Sequence, residues 1–341
     1  MSHGGNIYSN KVNIDFSVNL NPMGVPVEVK NSLISAMNNI SNYPDIMHKG
    51  LRESLADLYN ISVDQVAAGN GASELIMAIV RAINPRKVLL VEPGFSGYRF
   101  AIDSLQKDCE IIEHELSEDK GFCLDETILD KVTKDIDMLI LTNPMNPIGQ
   151  NISEDLIGRI LEKACAMDIE VLLDESFYEL SSAYDSSQKD RYRDILDMYP
   201  NTWILKSFTK LFAIPGVRIG FLLAKQDRIS KVYKILPEWN VSVLADAAGM
   251  ECIKLLKEGD YLKKSQELIE LNRAYLISGL KAAGYTVYGS DTVFVYLLGE
   301  SGLYEKLLDQ GILIRRGVGL DNYYRIAVKT IADIDMLLKR L

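Results

Sequence analysis

The sequence predicts an α/β protein with a mostly parallel seven-stranded sheet in a large domain, followed by a smaller α+β domain. Three features of its 341 residues carry that expectation. Short apolar runs alternate with helical stretches from residue 66 to residue 223. Runs such as Met138-Leu139-Ile140-Leu141 and Val171-Leu172-Leu173 are apolar on both faces, the pattern of strands buried between two helical layers. Past about residue 228 the alternation gives way to one long helical stretch and then several short strands.

Taken in order, residues 1–13 are polar and glycine-bearing and read as an irregular arm. Asp15-Phe16-Ser17-Val18-Asn19-Leu20-Asn21-Pro22 is a short extended piece ending in a turn. Val29, Leu33, Ile34 and Met37 recur at helical spacing, predicting a helix from Pro26 to about Asn39. Asn42-Tyr43-Pro44-Asp45 is a turn by composition, and Leu51, Leu55 and Leu58 mark a second helix. The seven strands of the main sheet are expected at 66–68, 87–91, 110–115, 137–142, 170–174, 202–206 and 218–223, with an apolar helix from Leu75 to Ile83. A helix from Leu244 to about Leu280 leads to strands at 285–287, 293–296, 312–315 and 324–327 and a terminal helix. The expected large domain is 40–228. The smaller one combines 1–39 with 229–341.

Composition narrows the function. A content of 48% hydrophobic and 25% charged residues is that of an ordinary soluble protein. The net charge of −10, with no basic face, argues against a nucleic-acid partner. Cys109, Cys123, Cys165 and Cys252 lack CxxC spacing, and His3, His48 and His114 do not pair as metal ligands, so no metal is expected. There is no basic stretch leading into an apolar h-region and no run of membrane-spanning length. The expectation is a reduced cytoplasmic protein without a membrane partner.

Ligands of a parallel sheet sit beyond the carboxyl ends of its strands, and the unusual residues cluster there. In Ser207-Phe208-Thr209-Lys210 the lysine is hemmed in by Leu211, Phe212, Ala213 and Ile214. Desolvation lowers an ammonium pKa and frees an amine nucleophile. Ser207 and Arg218 offer the hydroxyl and guanidinium suited to a phosphate. Gly69-Asn70-Gly71-Ala72-Ser73-Glu74 opens a helix whose N–H groups cradle an anion, although Glu74 stands where a dinucleotide fingerprint has its third glycine. Asp174 follows a buried strand and needs a partner: a protonated heterocyclic nitrogen, a metal or a helix end. A metal lacks a second clustered ligand. Asn143-Pro144-Met145-Asn146-Pro147-Ile148-Gly149 fixes an irregular turn that aims an amide, and Pro93-Gly94-Phe95 brings an aromatic ring to the same edge. An amine for an aldehyde, a carboxylate for a pyridine nitrogen, an amide for a phenolic oxygen, a ring for stacking and a phosphate nest together describe pyridoxal 5'-phosphate.

The order of these motifs resembles the fold-type I pyridoxal-phosphate enzymes of the class I/II aminotransferase family, over nearly the whole chain. That resemblance implies a Schiff-base role for Lys210, a pyridinium contact for Asp174, a bond from Asn146 to the ring oxygen and stacking by Phe95. It also implies that Ser207, Arg218 and the backbone of Gly71 and Ala72 hold the phosphate. Tyr43 looks like the tyrosine that homodimers of this family lend to the neighbouring subunit's cofactor phosphate. Arg325 matches the arginine that binds the substrate carboxylate. Phe177 stands where many members carry a second tyrosine to the ring oxygen, and Ile148 replaces a usual threonine.

Finer features, among them His3-Gly4-Gly5-Asn6, the 15–22 segment, Ala213-Ile214-Pro215-Gly216, Ile312-Leu313-Ile314-Arg315 and Phe177 itself, look like the threonine-phosphate decarboxylases of cobalamin biosynthesis. This implies decarboxylation of L-threonine O-3-phosphate to (R)-1-aminopropan-2-ol O-phosphate. His3, Gly4, Asn19, Asn146, Arg315 and Arg325 would then contact the phosphorylated amino-acid substrate. The rival resemblance is to the histidinol-phosphate aminotransferases.

Overall fold

The computed structural model describes residues 4–188, 190–317 and 321–341. Its largest element is a seven-stranded sheet of β2 (Val66–Gly69), β3 (Lys87–Glu92), β4 (Glu110–Glu115), β5 (Met138–Thr142), β6 (Glu170–Asp174), β7 (Thr202–Ser207) and β8 (Gly220–Leu223), after a short β1 (Ile14–Asp15) elsewhere. The spatial order is β2-β8-β7-β6-β5-β3-β4. Strands β3 to β7 pair in parallel, and β8 runs antiparallel to both neighbours. The doubly apolar runs have their physical reason here, because alternate residues of one strand enter two separate cores. Leu139, Leu141, Val171, Leu173 and Ile204 face one core. Met138, Ile140, Leu172, Trp203 and Leu205 face the other.

Helices seal both faces, several with caps that the sequence supplies. Ser153 Oγ accepts from Leu156 N at 3.2 Å at the start of Glu154–Ala166, with Glu154 and Asp155 in the first turn to complement the helix dipole. Ser242 caps Val243–Glu258 in the same way.

The remaining strands are β9 (Thr286–Val287), β10 (Phe294–Leu298), β11 (Ile312–Leu313), β12 (Arg315–Arg316) and β13 (Tyr323–Ala327). Four form an antiparallel sheet in the order β12-β13-β10-β9. β1 pairs in parallel with β11, which ties the N-terminal segment to the C-terminal part of the chain.

Three expectations are corrected. The helix predicted from Leu244 to Leu280 is two helices, Val243–Glu258 and Tyr261–Ala282, because Gly259 is extended (φ −120°, ψ 175°). The strand expected from 218 begins at Gly220, since Arg218 adopts a left-handed conformation with φ 64°. The run 312–315 divides at Ile314 between two sheets, β11 pairing with β1 and β12 with β13. No helix among the described residues is long and apolar enough to cross a membrane.

Candidate active site

Three neighbouring parallel strands end at one edge of the sheet, in register. Thr142 of β5 lies opposite Asp174 of β6, and Asp174 opposite Leu205 of β7, two residues before Ser207. Beyond these ends lies a cavity of about 220 Å³. Gly4, Asn19, Ala72, Phe95, Asn146, Asp174, Ser207, Lys210, Arg218 and Arg325 all line it, so residues from six separated stretches and the N-terminal segment converge. Gly71, Arg315 and Tyr43 do not line it. Gly71 adjoins it through Arg218, and Arg315 sits in register beside Arg325 on the neighbouring strand. Tyr43 is 81% exposed and packs on Trp239 at a centroid distance of 5.0 Å. His3 lies outside the described residues.

Asp174 is buried, and its two oxygens have different donors. Oδ1 accepts from Ser176 N at 2.9 Å and Oδ2 from the Tyr98 hydroxyl at 2.8 Å. Burial pushes the carboxyl pKa up against those bonds, so a cation in the cavity would favour its ionised form. Burial also lowers Lys210, to about 8, and the Arg325 and Arg218 guanidiniums act in the same direction, opposed by Asp174. About a tenth of this amine is therefore unprotonated at pH 7, far more than of an ordinary lysine.

The anion-binding end is built from the 69–74 loop and the 213–218 turn. Gly71 takes φ 80°, a conformation that favours glycine, and a Cβ there would push against the Arg218 guanidinium and displace it. Ala213 (φ 53°) and Arg218 (φ 64°) hold left-handed conformations on either side of Pro215-Gly216. Such strain in non-glycine residues is characteristic of functional turns, and here it turns Arg218 toward the loop. Ser207 Oγ and Thr209 Oγ1 sit 2.7 Å apart at the same end. Arg218 donates to the Pro215 and Asn70 carbonyls. Arg325 donates to Asn146 Oδ1 at 2.6 Å and to the Ser17 carbonyl at 2.7 Å. Neither arginine meets a carboxylate in these bonds, and the Arg325 Nε is buried without a partner. With Lys210, the cavity lining carries three cationic side chains against the single carboxylate of Asp174. It is a site for anions. Because Oδ1 of Asn146 is taken by Arg325, its Nδ2 remains to donate to a ligand oxygen.

Tyr98, Thr209, Thr142 and Ser176 also line the cavity, though no sequence motif singled them out. Tyr98 had a usable signal, standing three residues after Phe95 and thus one helical turn along the same edge. Phe177 lines the cavity against Phe294, ring centroids 5.2 Å apart, whereas Ile148 is fully buried.

Residues 11–341 match the family described as Aminotransferase class I and II. The chain belongs to this family. It is 32% identical over 360 residues to the threonine-phosphate decarboxylase of Salmonella typhimurium, covering 100% of this chain and 95% of that protein. It is also 31% identical over 314 residues to the histidinol-phosphate aminotransferase of Thermococcus gammatolerans, covering 91% and 85% respectively. Among solved structures, the histidinol-phosphate aminotransferase of Clostridium acetobutylicum superimposes with a TM-score of 0.86 at 27% identity, over 96% of this chain and 97% of that one. As a class I/II member, the chain is a pyridoxal 5'-phosphate-dependent enzyme of fold-type I.

Proposed function

We propose that the enzyme decarboxylates L-threonine O-3-phosphate to (R)-1-aminopropan-2-ol O-phosphate, a step of cobalamin biosynthesis. The observation that carries this reading is the end-to-end similarity to a threonine-phosphate decarboxylase, joined to a cavity with more cationic groups than one phosphate needs. The lining offers a group suited to each part of the cofactor. Ser207, Thr209, Arg218 and the N–H of Ala72 would hold the phosphate, Asp174 the ring nitrogen, Asn146 Nδ2 the ring oxygen and Phe95 the ring face. The glycine at 71 and the unneutralised Arg218 support that assignment. Bound there, pyridoxal phosphate supplies an electron sink for the pair left when a bond to the substrate α-carbon breaks.

The protein's part is to bind, orient and move one proton. Arg325, with Arg315 beside it, would bind the substrate's anionic groups, since a guanidinium grips carboxylate or phosphate through two N–H bonds. Asn19 and Gly4 would close the other side, with His3 of the same arm. In support, the Asn19 Oδ1 is buried without a partner, and Gly5 N donates to Ser17 Oγ at 2.7 Å, which draws the arm against the cavity. Once CO2 has left, the α-carbon needs a proton, and Lys210 Nζ is the donor that its moderate pKa suits.

A homodimer is part of the proposal, with Tyr43 reaching the neighbouring site. Tyr43 projects from a surface that also exposes Ile40, Ile46, Met47 and Trp239. Association would remove such an apolar patch from water. Residues 40–228 are read as the large domain, and 1–39 with 229–341 as the smaller one.

The similarity to histidinol-phosphate aminotransferases favours transamination as the second reading. Turnover of threonine phosphate and of histidinol phosphate, each with and without 2-oxoglutarate, separates the two. Decarboxylation predicts turnover of threonine phosphate with no 2-oxo acid present. A strict requirement for the 2-oxo acid would establish the aminotransferase instead.

A further inference from the structure

Behind the cavity, the same two strand ends carry a second set of charges. Side chains alternate across a strand, so Glu175 and Lys206, the sequence neighbours of Asp174 and Ser207, leave from the opposite face of the sheet. Both are sealed from solvent, Glu175 at 0% exposure and Lys206 at 1%. Lys206 Nζ lies 3.3 Å from Glu175 Oε2 and 2.7 Å from Glu179 Oε1. Arg191 Nη1 lies 2.9 Å from Glu175 Oε1, and the Tyr192 hydroxyl donates to Glu175 Oε2 at 2.8 Å. In the buried part of this network two cations, Lys206 and Arg191, face two carboxylates, Glu175 and Glu179, and Arg191 reaches on to the exposed Glu154 at 3.2 Å.

The network's presence is weak evidence for a role in stability. Replacing a buried ion pair by apolar side chains of similar volume is often neutral or stabilising, because desolvating the charges offsets their attraction. What the network supplies is direction: charged bonds running from β7 to the end of β6, one residue away from each cavity-lining group. We propose that Lys206 and Glu175 form a positioning brace, tying β6 to β7 from behind and thereby fixing the separation of Asp174 from Ser207 and Lys210 on the cavity side. Neither residue lines the cavity, so both act through their neighbours. The inference rests on this cavity being the cofactor site and is independent of which bond the enzyme breaks.

The double variant Lys206→Met/Glu179→Gln removes the brace while leaving Glu175 paired with Arg191, so the buried charge stays balanced. Stripped of cofactor, it is expected to melt within a few degrees of wild type. It is expected to bind pyridoxal phosphate roughly tenfold or more weakly, since small misplacements of positioning groups are costly. The pH midpoint of the bound-cofactor absorbance should also move, and Lys206→Arg should retain affinity close to that of wild type. Wild-type affinity and an unmoved midpoint in a folded double variant would overturn the proposal. Should that variant not fold, Tyr192→Phe decides the matter. Loss of this one hydroxyl is expected to weaken cofactor binding by roughly threefold, and unchanged binding would overturn the brace. A wild-type chain that fails to bind pyridoxal phosphate would refute the cofactor site itself, and the brace with it.

Discussion

The depressed Lys210 pKa can be tested before any substrate is involved. In the cofactor-free protein the amine titrates at about 8, against an ordinary lysine value of 10.5. Only the unprotonated amine attacks an aldehyde. At pH 7 roughly one molecule in ten presents it, whereas an unshifted lysine would present roughly one in three thousand, a difference of roughly 300-fold in available amine. The sign follows from the cause, since burial and two guanidiniums disfavour the ammonium. The rate of cofactor capture, followed by stopped-flow absorbance, should therefore rise with pH up to about 8 and level off above it. Replacing Arg325 with Met removes the larger of the two cationic contributions and should move the midpoint upward. A capture rate that climbs without a plateau to pH values typical of a free lysine would refute the reasoning, as would a midpoint indifferent to Arg325→Met.

Other consequences are independent of that titration. Tyr98→Phe removes a bond that favours the ionised form of Asp174 and should raise its pKa further, shifting the acid limb of the kcat/KM profile to higher pH; activity should fall by roughly three- to tenfold. Arg325→Lys keeps the charge but loses the fork, so KM for an anionic substrate should rise by roughly ten- to a hundredfold with little change in Tm. Trp203 is fully buried and donates to Glu170 Oε2 at 2.7 Å, so Trp203→Ala should cost about 3–5 kcal/mol in a denaturant titration.

The parts legible in the sequence were those whose signal is local. Residues 170–174 read as a buried strand because both faces are packed, and β6 occupies those same positions. Lys210, Asp174, Asn146 and Arg218 could be singled out because each breaks an apolar or regular pattern at a strand end or turn. The helix after residue 243 was read as continuous because Gly259-Asp260 interrupts the apolar spacing only briefly, and glycine alone does not dictate a break. The strand boundary at 218 was missed because a left-handed arginine has no signature in composition; its conformation comes from the tertiary position of the 213–218 turn. The bond from Tyr98 to Asp174 and the Lys206–Glu175 network were illegible for a different reason. Their partners stand 76 and 31 residues away, and a lysine inside a strand reads as a solvated position until the opposite face is known to be closed.

The central claim is that this cavity removes the substrate carboxylate. The direct measurement uses L-threonine O-3-phosphate labelled at the carboxyl carbon, with enzyme, pyridoxal phosphate and no 2-oxo acid. Labelled CO2 should appear over many turnovers, one equivalent for each equivalent of 1-aminopropan-2-ol O-phosphate formed. Label that stays in the organic product, or release that requires a 2-oxo acid, would contradict it.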